Sequence, residues 1–221
     1  MIIKNKLILA VCAVYSALLT GCTTTTIDEY RRDSVDLLPD RSIAVLGRRH
    51  TSGAVTEPFI VSCIGKQIGK GKNAVQVYSE SEFADRLYPW FEPRTAPLQL
   101  DRLKTMLAKP VIAEEVKDMG LQYIVWVDGK TARGDSAGGI SCSIGVGGAG
   151  CLGFGTWEDD GEYEVSVWDI TQDQPVAELS ASAEGTSYMP AVVVPVPLIA
   201  RVKTSICNSL SKQINQMFPD A

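Results

Sequence analysis

Residues 110–127, PVIAEEVKDMGLQYIVWV, change period halfway along. Val111, Ile112, Val116 and Met119 recur at helical spacing, Pro110 stands where a first turn tolerates it, and Gly120 closes the helix. Leu121 to Val127 (LQYIVWV) then run almost unbroken in apolar residues, as a central strand does. A helix that stops on glycine and feeds a buried strand is the unit from which layered folds are built.

Upstream, SIAVLG (Ser42 to Gly47) is another short apolar run suited to a strand buried on both faces. Thr56 is placed to cap a helix with Pro58 in its first turn, and Phe59, Ile60, Cys63, Ile64 and Ile68 keep the helical period until Gly69 and Gly71. Val75 to Tyr78 reads as a strand, and Ser79 or Ser81 caps a short helix that stops before Pro89. Residues 89–97 (PWFEPRTAP) form an irregular loop whose Trp90 and Phe91 cover the core edge. Leu98, Leu100, Leu103, Met106 and Leu107 mark one more amphipathic helix.

Downstream, nine glycines fall between Gly134 and Gly155. Gly145 to Gly150 matches G-x-G-x-x-G in form, but no apolar strand precedes it and strand-like residues follow, so the motif lacks the context of a dinucleotide site. A hairpin with a glycine-rich tip is the better reading. Glu158 to Gly161 forms a polar turn into Glu162 to Ile170, and Thr171 to Gln174 turns the chain into Val176 to Ala183, a meander. Pro190, Pro195 and Pro197 exclude a regular helix or a central strand from Ser187 to Ala200. From Leu198 the helical period resumes through Ile199, Val202, Ile206, Leu210, Ile214 and Met217. The expected class is α+β: a mixed sheet covered by helices, with a glycine-rich hairpin and a C-terminal packing helix, in one domain over residues 41–221.

The amino terminus carries Lys4 and Lys6, an apolar run from Leu7 to Leu19, and Leu19-Thr20-Gly21-Cys22. The run is shorter than the ~20 residues a spanning helix needs, so residues 1–21 read as an export signal. The stretch is a lipobox and resembles those of bacterial lipoproteins. That resemblance implies acylation of Cys22, and Thr23 rather than Asp after it implies the periplasmic face of the outer membrane. Three acyl chains hold far better than one, which alone binds only marginally. Residues 22–40, with the polar run TTTTIDEYRRDSVDLLPD, then form the lipidated start and a flexible tether.

Without Lys4 and Lys6, the 21 basic residues become 19 against 26 acidic ones, a net charge of −7. Such a chain, with no basic cluster, is a poor nucleic-acid binder. In an oxidising compartment Cys63, Cys142, Cys151 and Cys207 are candidates for disulfides, with Cys142 and Cys151 closing a local loop and Cys63 and Cys207 joining distant helices. Alternatively, Cys63 and Cys207 are small buried hydrophobes. With one histidine, His50, and no Cys-x-x-Cys, neither a metal site nor a cofactor is expected.

SIAVLG, EEVKDMGLQYIVWVDGK, VSVWDITQDQPVAEL and the closing helix, in this order, resemble the periplasmic domains of three groups: the curli-secretion lipoprotein, the lipoprotein activators of penicillin-binding proteins, and the amino-terminal domain of TolB. The similarity covers most of residues 42–218. GCLGFGTW and YMPAVVVPVPLIA resemble segments of uncharacterised proteobacterial lipoproteins.

No pattern of catalytic residues holds together: His50 reads as a solvated loop residue, Glu158 to Asp160 as a hydrated turn, and Glu114 and Glu115 as an exposed helix face. The expected function is therefore non-enzymatic. The protein would be held to the bilayer through Cys22 and would bind a periplasmic or outer-membrane protein partner through Leu152, Phe154, Trp157, Tyr188 and Val193. Those residues serve equally well as cover for the sheet edge. The resemblance to the curli-secretion lipoprotein implies the alternative of an oligomeric outer-membrane secretion pore with an inserted hairpin. Transmembrane strands need ~9 to 11 residues, and Gly139 to Trp157 barely supplies two. A small-ligand site or enzyme is the remaining class. Cys22→Ser is expected to abolish acyl labelling and to release the protein from outer membranes; unchanged label and fractionation would contradict the lipobox.

Overall fold

The computed structural model describes residues 23–31, 41–50, 53–70, 75–92, 94–145 and 148–218. The export signal, Cys22 and residues 32–40 lie outside the described residues. Along the chain run β1 (Thr23–Arg31), β2 (Ser42–Gly47), α1 (Pro58–Ile68), β3 (Gln76–Tyr78), α2 (Glu80–Arg86), α3 (Leu100–Leu107) and α4 (Pro110–Asp118). They are followed by β4 (Leu121–Gly145), β5 (Gly148–Asp169), β6 (Gln174–Pro195) and α5 (Val202–Met217). The strands form one sheet in the order β1-β6-β5-β4-β2-β3. β2 runs parallel to β3 and β4, whereas the short links β4–β5 and β5–β6 permit only antiparallel pairing. The sheet is mixed and the class α+β.

The chain divides into two compact units, and β4, β5 and β6 contribute residues to both. The larger holds Thr25–Lys130, Gly161–Ser182 and the chain from Lys203 onward. All six residues of β2 are buried, as a strand covered on both faces requires. Ala44, Leu46, Ile124, Trp126 and Trp168 pack with Phe83, Leu103, Ile112 and Val116 from α2, α3 and α4. Phe91 meets Phe83 edge to face at 4.9 Å.

Ile43, Val45, Tyr123, Val125 and Val127 alternate with that set, so they point to the opposite face, and all are buried. There Gly65 of α1 lies against Val45 and Val77, and Phe218, just past α5, lies 5.1 Å from Tyr123. A Cys63–Cys207 disulfide, with Cα atoms 6.1 Å apart, joins α1 to α5.

Local chemistry sets the element ends. Ser79 caps α2 in a full capping box, its hydroxyl accepting from the Glu82 N–H while its own N–H donates to Glu82 Oε2 at 2.8 Å. That backbone hydrogen bond, with the Ser79 hydroxyl second, holds the Glu82 carboxyl below its usual range. Asp169 Oδ1 accepts from Thr171 N, Thr171 Oγ1 and Gln172 N, which folds the β5–β6 turn. Gly120 follows α4 at φ +62°.

Several sequence expectations need correction. Thr23 to Arg31, expected as tether, are strand β1: the β-branched Thr-Thr-Thr-Thr-Ile run suits a strand, and its first five residues alternate half-buried and exposed. Thr25 Oγ1 and Ser205 Oγ, 2.6 Å apart, share a hydrogen bond. Thr56 does not cap α1; its hydroxyl donates to the Arg48 and Val127 carbonyls, and Glu57 is the N-cap. The strand expected over Leu121 to Val127 does not stop there but continues to Gly145 as β4, and the Glu158–Gly161 turn is interior to β5. The proline-rich run is strand as far as Pro195, and α5 starts at Val202 rather than Leu198.

Ser79→Ala is expected to cost about 1 kcal/mol in urea unfolding at neutral pH. Because the Glu82 carboxyl is lowered in the fold, its share is present above the ordinary carboxylate range and is lost as pH falls through the lowered value. Ser79→Ala keeps the backbone N–H, so only the smaller part due to the hydroxyl separates the two proteins, and their gap should narrow by that part in acid.

Candidate binding surface

The smaller unit holds Thr131–Asp160, Ala183–Val202 and residues 23–24. Its β4 and β5 arms face each other with Arg133 Nε 3.4 Å from Asp159 Oδ1 and the Thr156 hydroxyl donating to the Ala137 carbonyl. The two backbones approach closely where glycine allows it. At Gly138 (φ +92°) a Cβ would lie 2.1 Å from the Phe154 carbonyl oxygen, and at Gly153 (φ +148°) 2.2 Å from that of Gly139. Toward the tip a Cys142–Cys151 disulfide crosses between the arms.

β6 runs beside β5. Phe154 and Tyr188 have ring centroids 6.1 Å apart, and a Cβ on Gly150 would lie 3.9 Å from Val193 Cα. The chain doubles back around Val193 (φ +78°): Tyr188 pairs antiparallel with Leu198, Val196 N donates to the Pro190 carbonyl, and Ala200 N donates to Ser187 Oγ. Pro190 and Pro195 thus flank the turn, which is how a proline-rich run is accommodated at the end of a strand.

Leu152, Phe154 and Val193 are exposed by 72%, 50% and 63%, while Trp157 and Tyr188 are half-buried. The structure thus brings Phe154 onto Tyr188 and sets Val193 beside the hairpin. It engages Trp157 with the Arg133 guanidinium, 5.6 Å from the ring centroid. Sequence reasoning missed Ile144, the most exposed large apolar side chain among the described residues, and it missed Arg133. The cross-strand register that joins Arg133 to Trp157 follows from where β4 turns, which glycine-rich sequence leaves open.

In the larger unit, Arg48 Nη1 donates to Asp128 Oδ2 at 2.7 Å, and His50 Nε2 lies 2.9 Å from Asp128 Oδ1. His50 is therefore partnered rather than simply solvated, through a residue 78 positions away that no local motif flags. An open cleft lined by Gly47, Arg49, Lys66, Lys70 and Glu80 borders the same strand end, where α/β sheets often take ligands. Arg49 Nη2 is spent on Glu80 Oε1 at 3.4 Å. Among the described residues no group of three or more His, Cys, Asp or Glu side chains is arranged to hold a metal ion.

No protein-family profile matches this chain, and no curated protein matches it in sequence. Two solved structures of the PelC dodecamer from Paraburkholderia phytofirmans, one of a point variant, are similar in chain course at TM-scores of 0.43 and 0.42. Each is 8% identical, with 88% of this chain and 97% and 98% of theirs covered. No helix among the described residues is long and apolar enough to cross a membrane.

Phe154→Ala is expected to change unfolding stability by less than about 1 kcal/mol, against about 3 to 5 kcal/mol for a buried aromatic such as Phe83→Ala. Equal losses in urea titrations would place Phe154 in the core.

Proposed function

We propose that this is a non-enzymatic envelope lipoprotein, held at the periplasmic face of the outer membrane by Cys22, that works by docking its smaller unit. The docked partner is a periplasmic or outer-membrane protein engaged in envelope assembly or maintenance. One observation carries the reading: Ile144, Leu152, Phe154 and Val192 to Val194 are large apolar residues left exposed within one small unit. Exposed apolar side chains concentrated in one unit suit a contact role, whereas single ones are ordinary. Glycine-enforced close approach and the Cys142–Cys151 crosslink favour the same reading, because a stiff element loses little entropy on docking. The cleft beside Arg49 has its guanidinium and carboxylate matched to each other, which disfavours it as the working site.

A second reading, an oligomeric outer-membrane secretion pore, is favoured by strand length. The arms of β4 and β5 in the smaller unit, Thr131 to Gly145 and Gly148 to Asp160, each exceed the ~9 to 11 residues a transmembrane strand needs. Crosslinking of intact cells followed by native mass measurement separates the two. Docking predicts a complex of this chain with a different protein that Phe154→Ala and Leu152→Ala weaken at least tenfold. A closed ring of this chain alone would support the pore instead.

A further inference from the structure

Trp168 is 3% exposed, yet its indole N–H has no hydrogen-bond partner. A donor withdrawn from water without an acceptor keeps its whole desolvation cost, and a phenylalanine in its place would fill the space without that cost. The Trp168 ring forms part of the wall of an open cleft of about 680 Å³. The rest of the wall comes from α3, α4, the first residue of β4, the β5–β6 turn and Arg41 ahead of β2. All of it belongs to the larger unit.

The cleft combines apolar walls with positive charge. Leu107, Val116, Leu121 and Ile170 supply the walls, and Arg41, Lys104 and Lys117 bring three cations to them. Lys104 Nζ lies 4.8 Å from the centroid of the Trp168 ring and 3.9 Å from Asp101 Oδ1. Arg41 and Lys117 pair with no carboxylate among the described residues. Two acids also border the cleft, but Asp101 and Asp173 are exposed, whereas Arg41 and Lys104 are half-buried. The charge that solvent screens least is therefore positive. A cavity of this size, with apolar walls and a few polar groups, is the form that small-molecule sites take.

We propose that this cleft binds a small organic carboxylate carried on a compact apolar body. Arg41 and Lys104 meet the carboxylate, one of whose oxygens accepts the Trp168 N–H, and the body lies on Leu107, Val116 and Leu121. Charge assistance makes such hydrogen bonds the strong ones, and the acid supplies the acceptor that the indole lacks. Water scarcely reaches the indole nitrogen, so the ligand displaces the Lys104 chain from the ring as it enters. A lysine on a flexible four-carbon stem, held by one long ion pair, moves readily. The site does not depend on partner docking by the smaller unit.

The test uses the full-length acylated protein in phospholipid discs, with empty discs as the blank. Three probes share one apolar body: 4-phenylbutyrate, its neutral amide and 4-phenylbutylamine. Labelling with 5-fluorotryptophan gives Trp168 a fluorine signal, identified by its loss in Trp168→Phe. Phenylbutyrate is expected to move that signal and, by titration calorimetry, to bind about tenfold tighter than the amide or the amine. Arg41→Gln and Trp168→Phe should each remove most of that preference. A Trp168 signal that phenylbutyrate leaves in place, or equal affinity for the three probes, would overturn the proposal. So would an undiminished preference in either variant. Should Trp168→Phe fail to fold, calorimetry on Arg41→Gln decides: loss of the preference for the carboxylate supports the site, and its retention refutes it. Loss of partner docking in Phe154→Ala, with phenylbutyrate binding intact, would show the two sites to be separate; loss of phenylbutyrate binding in that variant would contradict the placement at Trp168.

Discussion

The parallel ladder between β2 and β4 is the constraint on which the larger unit depends. Ser42 to Gly47 and Leu121 to Val127 are buried throughout, with helices over both faces, so their backbone groups have no water to turn to. Every other element there is explained by what the two strands leave uncovered. α2, α3 and α4 take the side of Leu46 and Trp126; α1 takes the side of Val45. The Cys63–Cys207 crosslink closes a loop of 144 residues, which on the chain-entropy account contributes nearly 5 kcal/mol by restricting the unfolded chain.

The smaller unit obeys different physics. Its hairpin arms are mostly exposed, and many of its residues have no side chain to bury. What shapes it is backbone approach at Gly138 and Gly153, the Cys142–Cys151 crosslink and the turn flanked by Pro190 and Pro195. A polypeptide that gathers neither charge nor core over such a length gains little in water, so the gain is to be sought in what it contacts.

How much of this was legible in sequence divides along the same line. The helix-to-strand switch at Gly120, the all-buried β2 and the Ser79 cap were readable because each is a local pattern with a local cause. The length of β4 was not: beyond Val127 the apolar signal stops, and what carries the strand onward is pairing with β5, a long-range matter. The threonine run of β1 was misread as tether because polarity was weighed above β-branching. At Glu158 to Gly161 the expected turn is instead continuous strand beside β4, a partner that no window of sequence contains. The exposed apolar candidates Leu152, Phe154 and Val193 stood out as chemistry, yet that they share one unit with Ile144 is visible only in the structure.

The protein therefore joins a stapled, conventionally buried core to a ribbon whose large apolar side chains stand exposed. On this reading the ribbon serves contact rather than the stability of the fold. Hydrogen exchange of the full chain, free and in outer-membrane vesicles, tests this most directly. Peptides spanning Ile43 to Leu46 and Leu121 to Val127 should exchange only through global unfolding in both states, whereas those within 136–157 should exchange fast in the free protein and slowly in vesicles. Ribbon peptides as protected as the core in the free protein would contradict the account.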